Sequence, residues 1–95
     1  AFASNESGQY AQSDLWGILG EADGGSGTTL LDRQRPEAPG TFTGRRVVMV
    51  AGPNKGEWRT IVAHQAISGK GSGAHLELDR PLPHKVDRDT VYVIE

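Results

Sequence analysis

Apolar residues occur along this chain in short runs, most of them alternating with polar residues, and glycine and proline separate the runs. Residues 28–32 (TTLLD) form one such run, and residues 45–51 (RRVVMVA) form the strongest, near-continuously apolar after two arginines. A strand without alternation has both faces covered, so residues 45–51 are expected in the middle of a sheet. Residues 57–64 are extended and β-branched in character. Residues 74–79 (AHLELD) alternate cleanly, which points Leu76 and Leu78 inward and leaves His75, Glu77 and Asp79 to water. A last run, residues 90–94 (TVYVI), ends the chain's pattern.

The separators predict how these strands connect. Gly52, Pro53, Asn54, Lys55 and Gly56 are all residue types that favour chain reversal, so the runs on either side read as a hairpin with a five-residue loop. Residues 33–40, with Pro36 and Pro39, read as a loop, and residues 66–73 read as a second, glycine-rich one. Pro81 and Pro83 lack the N–H that a ladder needs, so the chain leaves the sheet there before the polar turn at Asp87, Arg88 and Asp89.

The first 27 residues are polar and small except for Tyr10 and the cluster around Trp16. That cluster is too short and too glycine-flanked to support a helix. Residues 13–19 are read as one short strand or a single turn that packs Trp16 onto the main body. Residues 22–27 (ADGGSG) behave as a flexible joint, which sets a boundary near residue 27. The expected organisation is an N-terminal arm or linker over residues 1–27 and a β module over residues 28–95. The fold class is all-β: a small antiparallel barrel or curled sheet of about five or six short strands, with a loosely attached arm.

Composition narrows the function classes. Ninety-five residues hold one domain, and 13 glycines with 36% apolar residues point away from a helical bundle. No cysteine is present, which removes disulfides, thiolate zinc sites and cysteine nucleophiles. Ten Lys and Arg against twelve Asp and Glu give a net charge of −2 and a pI near 5.9, which argues against a nucleic-acid partner. No run approaches the ~18 apolar residues of a membrane span. The chain opens at Ala1, so a processed chain or a piece of a longer one is expected.

Five motifs occur in order over residues 28–95. They are Thr28-Thr29-Leu30-Leu31-Asp32; Phe42-x-Gly44-Arg45-x-Val47; Gly52-x-x-x-Gly56-x-x-Arg59-x-Ile61; Leu76-x-Leu78-Asp79; and Asp89-Thr90-x-Tyr92-x-Ile94. This order resembles a small β module that recurs in phage virion and tail proteins and in bacterial extracellular proteins built on right-handed parallel β-helices. The resemblance implies a compact all-β accessory module, structural or adhesive, in a secreted or virion-borne setting, and it implies no catalytic residue. Gly52, Gly56, Arg59, Asp79 and Tyr92 are the residues it marks as structural. The insert at residues 68–74 and Pro53 depart from the pattern.

The Gly52 to Gly56 loop lacks the Gly-Lys-Ser/Thr and the helix of a phosphate cradle, so a turn is the better reading. His64, His75 and His84 have no ligand-pair spacing and are read as exposed histidines. Asp79, Asp87 and Asp89 are the candidate carboxylates for calcium, but Arg80, Lys85 and Arg88 are close enough to neutralise them; no cofactor is expected. Glu57 and Glu77, the only glutamates on strong strands, are the candidates for a hydrolytic pair, and nothing marks either as a perturbed acid. No Gly-x-Ser-x-Gly elbow is present.

The aromatic residues are more informative. Trp58 follows the reversal directly, beside Lys55, Glu57 and Arg59, and shares a face with Thr60 and Val62, whereas Arg59 shares one with Ile61. Alternation leaves open which face is the core. An exposed Trp58 makes Trp58, Lys55, Asn54, Glu57 and Trp16 candidates for ligand binding, since indole faces stack on sugar rings. Arg59 is expected to tie the reversal to a carboxylate such as Asp79 or Asp89. The leading reading is a non-enzymatic structural or adhesion module of an extracellular or virion-associated protein. Its partner would be a polysaccharide or a neighbouring domain or subunit. The alternative is a carbohydrate-binding module associated with a polysaccharide-degrading β-helix enzyme.

Overall fold

A computed structural model describes residues 17–67 and 73–95. Among them there is no helix; the chain forms seven strands, β1 (Ile18–Glu21), β2 (Gly24–Gly25), β3 (Thr29–Asp32), β4 (Arg46–Ala51), β5 (Trp58–Gln65), β6 (Ala74–Leu78) and β7 (Val91–Ile94). They make one antiparallel sheet in the order β1-β7-β4-β5-β6-β3-β2. The fold is therefore all-β and curled like a barrel, and the five runs read from alternation are β3 to β7. β4 lies inside the sheet between β7 and β5, as its apolar run requires.

The two additional strands come from residues 18–25, and they correct the reading of a joint over residues 22–27. β1 pairs with β7 at one edge of the sheet, and β2 pairs with β3 at the other. Ala22 and Asp23 carry the chain between the two edges. Ala22 is buried and its N–H donates to the Thr90 carbonyl at 2.9 Å, while the Asp23 N–H donates to the Leu31 carbonyl at 2.7 Å. Gly24 and Gly25, which look like a linker in sequence, are β2 itself, paired with Leu31 and Leu30.

The curl encloses a core of Leu30, Phe42, Val47, Met49, Ile61, Leu76, Tyr92 and Ile94. Leu82 and Val86, from the proline-containing stretch after β6, join that core. That stretch does not merely leave the sheet; its Leu82 and Val86 N–H groups donate to the carbonyls of Gly27 and Ser26 at 2.7 and 3.0 Å, which turns both side chains inward. At the other end of β5, the loop before β4 inserts Phe42, whose ring stacks on His64 with centroids 4.8 Å apart.

Inside the sheet, the Tyr92 hydroxyl donates to Asp32 Oδ2 at 2.5 Å, joining β7 to β3. Asp32 Oδ1 accepts the Gln34 N–H at 2.9 Å, so the buried carboxylate is held at both oxygens. Burial, with the bond to Asp32 and its charge adding to it, raises the Tyr92 phenol far above its ordinary pKa, and the hydroxyl stays a donor. Gly20 pairs with Tyr92 across β1 and β7, and a Cβ at position 20 would fall 2.5 Å from the Tyr92 ring and hydroxyl. The absence of a side chain at residue 20 is what lets the ring reach Asp32.

Removing this bond leaves a buried carboxylate short of a donor, so Tyr92→Phe should lower stability by about 2 kcal/mol, or roughly 10 °C in melting temperature. Gly20→Ala should cost at least as much, because the ring has to move. Urea unfolding of both variants checks this; a Tyr92→Phe protein as stable as wild type would show that the bond contributes nothing.

Candidate functional site

The β4–β5 hairpin places the candidate residues. Gly52 and Gly56 hold φ of +101° and +94°, backbone that a side chain would strain, and the Lys55 N–H closes the turn on the Gly52 carbonyl at 3.2 Å. Met49 N–H donates to the Glu57 carbonyl and Gly56 N–H to the Met49 carbonyl, both at 2.8 Å, so the reversal leads straight into the ladder. Lys55 is exposed at the tip.

Asn54 does not face a ligand. It is buried, its amide donates to the His84 carbonyl at 2.8 Å, and its Oδ1 accepts the His84 N–H at 2.9 Å. This two-bond clasp fastens the hairpin to the stretch after β6, which corrects the expectation of a binding role. Arg59 is also a fastener, though not through Asp79 or Asp89. Its Nε and Nη2 donate to the Pro81 carbonyl at 3.2 and 2.8 Å, and its Nη1 donates to the Trp58 carbonyl at 2.6 Å and to Glu57 Oε1 at 3.2 Å. The reason is Pro81: the chain turns out of the sheet there and leaves a carbonyl facing β5. Asp79 instead continues the ladder, its carboxylate accepting the Thr60 N–H at 3.0 Å while its own N–H donates to the Thr60 carbonyl at 2.9 Å.

Trp58 lies on the outer face. Ile61 is fully buried, which makes the Arg59–Ile61 side the inner one, and the indole is 44% exposed. Guanidinium groups from the two sides of β5 approach it, Arg46 of β4 at 5.2 Å and Arg80 beyond β6 at 5.6 Å from the ring centroid. Both distances lie within the range of cation–π attraction. Each arginine is also ion-paired, Arg46 Nη2 with Glu95 at 2.5 Å and Arg80 Nε with Asp79 at 3.3 Å. Trp58 is directly opposite Val48, which is opposite Val93, which is opposite Leu19. These four residues form one apolar row across β5, β4, β7 and β1, and Leu19 at its end is 66% exposed. Trp16 lies outside the described residues.

His64 departs from the sequence reading. Strict alternation from Trp58 carries it to the outer, exposed face, but the register shifts between Ile61 and Ala63, and the extra residue turns His64 inward, to 4% exposure. Its Nδ1 accepts the Phe42 N–H at 3.2 Å and its backbone carbonyl accepts the Gly40 N–H at 2.9 Å. His64 is thus the peg that holds the loop of residues 33–45. Burial lowers its pKa, and the Glu37 carboxylate opposes that shift.

The remaining candidates separate. Glu57 and Glu77 are not close: Glu77 pairs with Ala63, six residues along from Glu57, or about 20 Å of extended chain. Two carboxylates sharing a glycosidic bond stand within ~10 Å. Asp87 Oδ1 accepts the Asp89 N–H at 2.9 Å within its own turn. An open depression of about 390 Å³ beside this turn is lined by Asp23, Lys85, Val86, Arg88 and their neighbours. Among the described residues, no group of three or more His, Asp or Glu is placed to hold a metal ion.

No protein-family model, curated protein or solved structure matches the chain.

Two outcomes test these assignments. Asn54→Ala removes both clasp bonds and should cost about 2 kcal/mol, whereas Lys55→Ala should stay within about 0.5 kcal/mol of wild type in the same denaturation assay. For His64 the pKa is lower folded than unfolded, so the unfolded chain takes up the proton first. Stability is then full above about pH 6.5 and falls as the pH drops below it, by at most about 1.4 kcal/mol per pH unit. Unfolding of wild type and His64→Phe between pH 7.5 and about 5 checks this; equal slopes in the two proteins would assign the dependence to other groups.

Proposed function

We propose that this protein is a non-enzymatic adhesion module that binds carbohydrate on the outer face of β4 and β5. The observation that carries the reading is Trp58, a half-exposed indole on a rigid strand with hydrogen-bonding side chains on both sides. A sugar ring offers an apolar C–H face to an indole and hydroxyls to its rim, and a strand-mounted indole is ordered before binding. The buried polar residues support a binding role rather than turnover. Tyr92, Asp32, Asn54 and Arg59 are each engaged in holding strands or loops together. The extracellular or virion-associated setting is drawn from the order of motifs over residues 28–95.

A second reading is favoured by a specific observation. The row from Trp58 through Val48 and Val93 to Leu19 is a continuous apolar strip on an exposed sheet face, a surface suited to a neighbouring domain or subunit of a larger protein.

Intrinsic tryptophan fluorescence against a panel of soluble polysaccharides separates the two. Saturable change with at least one polymer is expected, weakened at least about tenfold in Trp58→Ala that keeps its circular dichroism spectrum. A spectrum indifferent to every polymer would overturn the carbohydrate reading and leave the apolar strip as the functional surface.

A further inference from the structure

We propose that the ligand of the Trp58 face is an acidic polysaccharide, one whose sugar rings carry carboxylates, and that Arg46 and Arg80 are the groups that select it. This rests on the carbohydrate reading above and adds the class of sugar.

Of the chain's seven arginines, Arg46 and Arg80 bring their guanidiniums to the outward-facing Trp58 indole, while Arg45 and Arg59 are taken up by nearby backbone carbonyls, Arg59 from the inner side of β5. Arg46 and Arg80 each meet one carboxylate of the chain, Glu95 and Asp79.

The four arginines are not equivalent. The Arg59 guanidinium is largely buried against the Pro81 and Trp58 carbonyls, and Arg45 Nε donates to the Glu95 backbone carbonyl at 2.7 Å. Arg46 and Arg80 are the exposed pair, with side chains 52% and 57% accessible. Both already bind carboxylates, Glu95 and Asp79, so the site is chemically matched to that group. Exposed ion pairs of this kind contribute only about 0–1 kcal/mol, so a carboxylate from outside can take the place of either at small cost. Arginine's planar fork holds a carboxylate through two bonds, and the two forks flank the indole on which a sugar ring would stack. A neutral polymer would use the indole and leave both forks paired as they are; a uronate polymer uses all three groups.

The test is titration of the full chain, read by tryptophan fluorescence, with polygalacturonate oligomers and with the same oligomers methyl-esterified at their carboxylates. Alginate oligomers serve as a second uronate and oligothymidylate as a different polyanion. Polygalacturonate is expected to bind at least about tenfold tighter than its ester. Arg46→Gln and Arg80→Gln should each reduce that preference several-fold at unchanged melting temperature, and raising salt from about 20 to 200 mM should weaken the uronate but not the ester. Equal affinity for acid and ester would overturn the proposal while leaving the carbohydrate reading intact. Indifference to these and to every neutral polymer would overturn both. Tighter binding of oligothymidylate than of either uronate would assign the face to single-stranded nucleic acid and overturn the proposal.

Discussion

Two residues, Ala22 and Asp23, impose the curvature on which the rest of the structure depends. They are all that separates β1 from β2, and those strands occupy opposite ends of the sheet order. A trans chain spans at most ~3.8 Å per Cα step, so Glu21 and Gly24 lie within about 11 Å of each other. The edges of a flat seven-stranded sheet would stand about 29 Å apart at 4.8 Å per strand. The sheet has to curl until its edges nearly meet. The Tyr92–Asp32 bond fixes the curl from inside, because it joins β7 to β3, the strands next to those edges. Gly20 makes room for the ring at the same place.

A curled sheet this small has two open ends, and loops fill both. At the hairpin end, Asn54 clasps His84 and Arg59 caps Pro81, while Leu82 and Val86 complete the core. At the other end, Phe42 stacks on His64, and the loop backbone bonds to His64 through Gly40 and Phe42. Most of the polar side chains that look available for chemistry in the sequence are therefore engaged in closing the ends. That division places the free chemistry on the outside of the sheet, where β4 and β5 run side by side.

Trp58 shows how the fold makes a surface out of a strand. The reversal at Gly52 and Gly56 sets the register of β4 against β5, and Ile61 commits the opposite face to the core. The indole then has to point outward, and the strands on either side bring Arg46 and Arg80 to it. An exposed indole is thereby set beside two exposed guanidiniums, each paired with a carboxylate of the chain.

Alternation and turn chemistry by themselves determined the all-β class, the five strands from β3 to β7, the hairpin at Gly52 to Gly56, and the pairing of outer with inner residues along β6, because each of these is set by neighbours within a few residues. The tertiary structure alone decided which face of β5 is the core and where the first strands go. β1 and β2 are short and glycine-rich, and their strand character comes from partners about 70 residues away in one case and about seven in the other. The bulge at Ile61 and Ala63 turned His64 inward, which period two has no means to register. Leu82 and Val86 sit among prolines and became core only because Gly27 and Ser26 offered carbonyls to their N–H groups. The acceptors of Arg59 and Asn54 are backbone carbonyls of the stretch after β6, and a backbone carbonyl leaves no mark in the residue types that surround it. Local rules fix which residues pair off along a strand; the positions of distant backbone groups fix which of them remain free to bind.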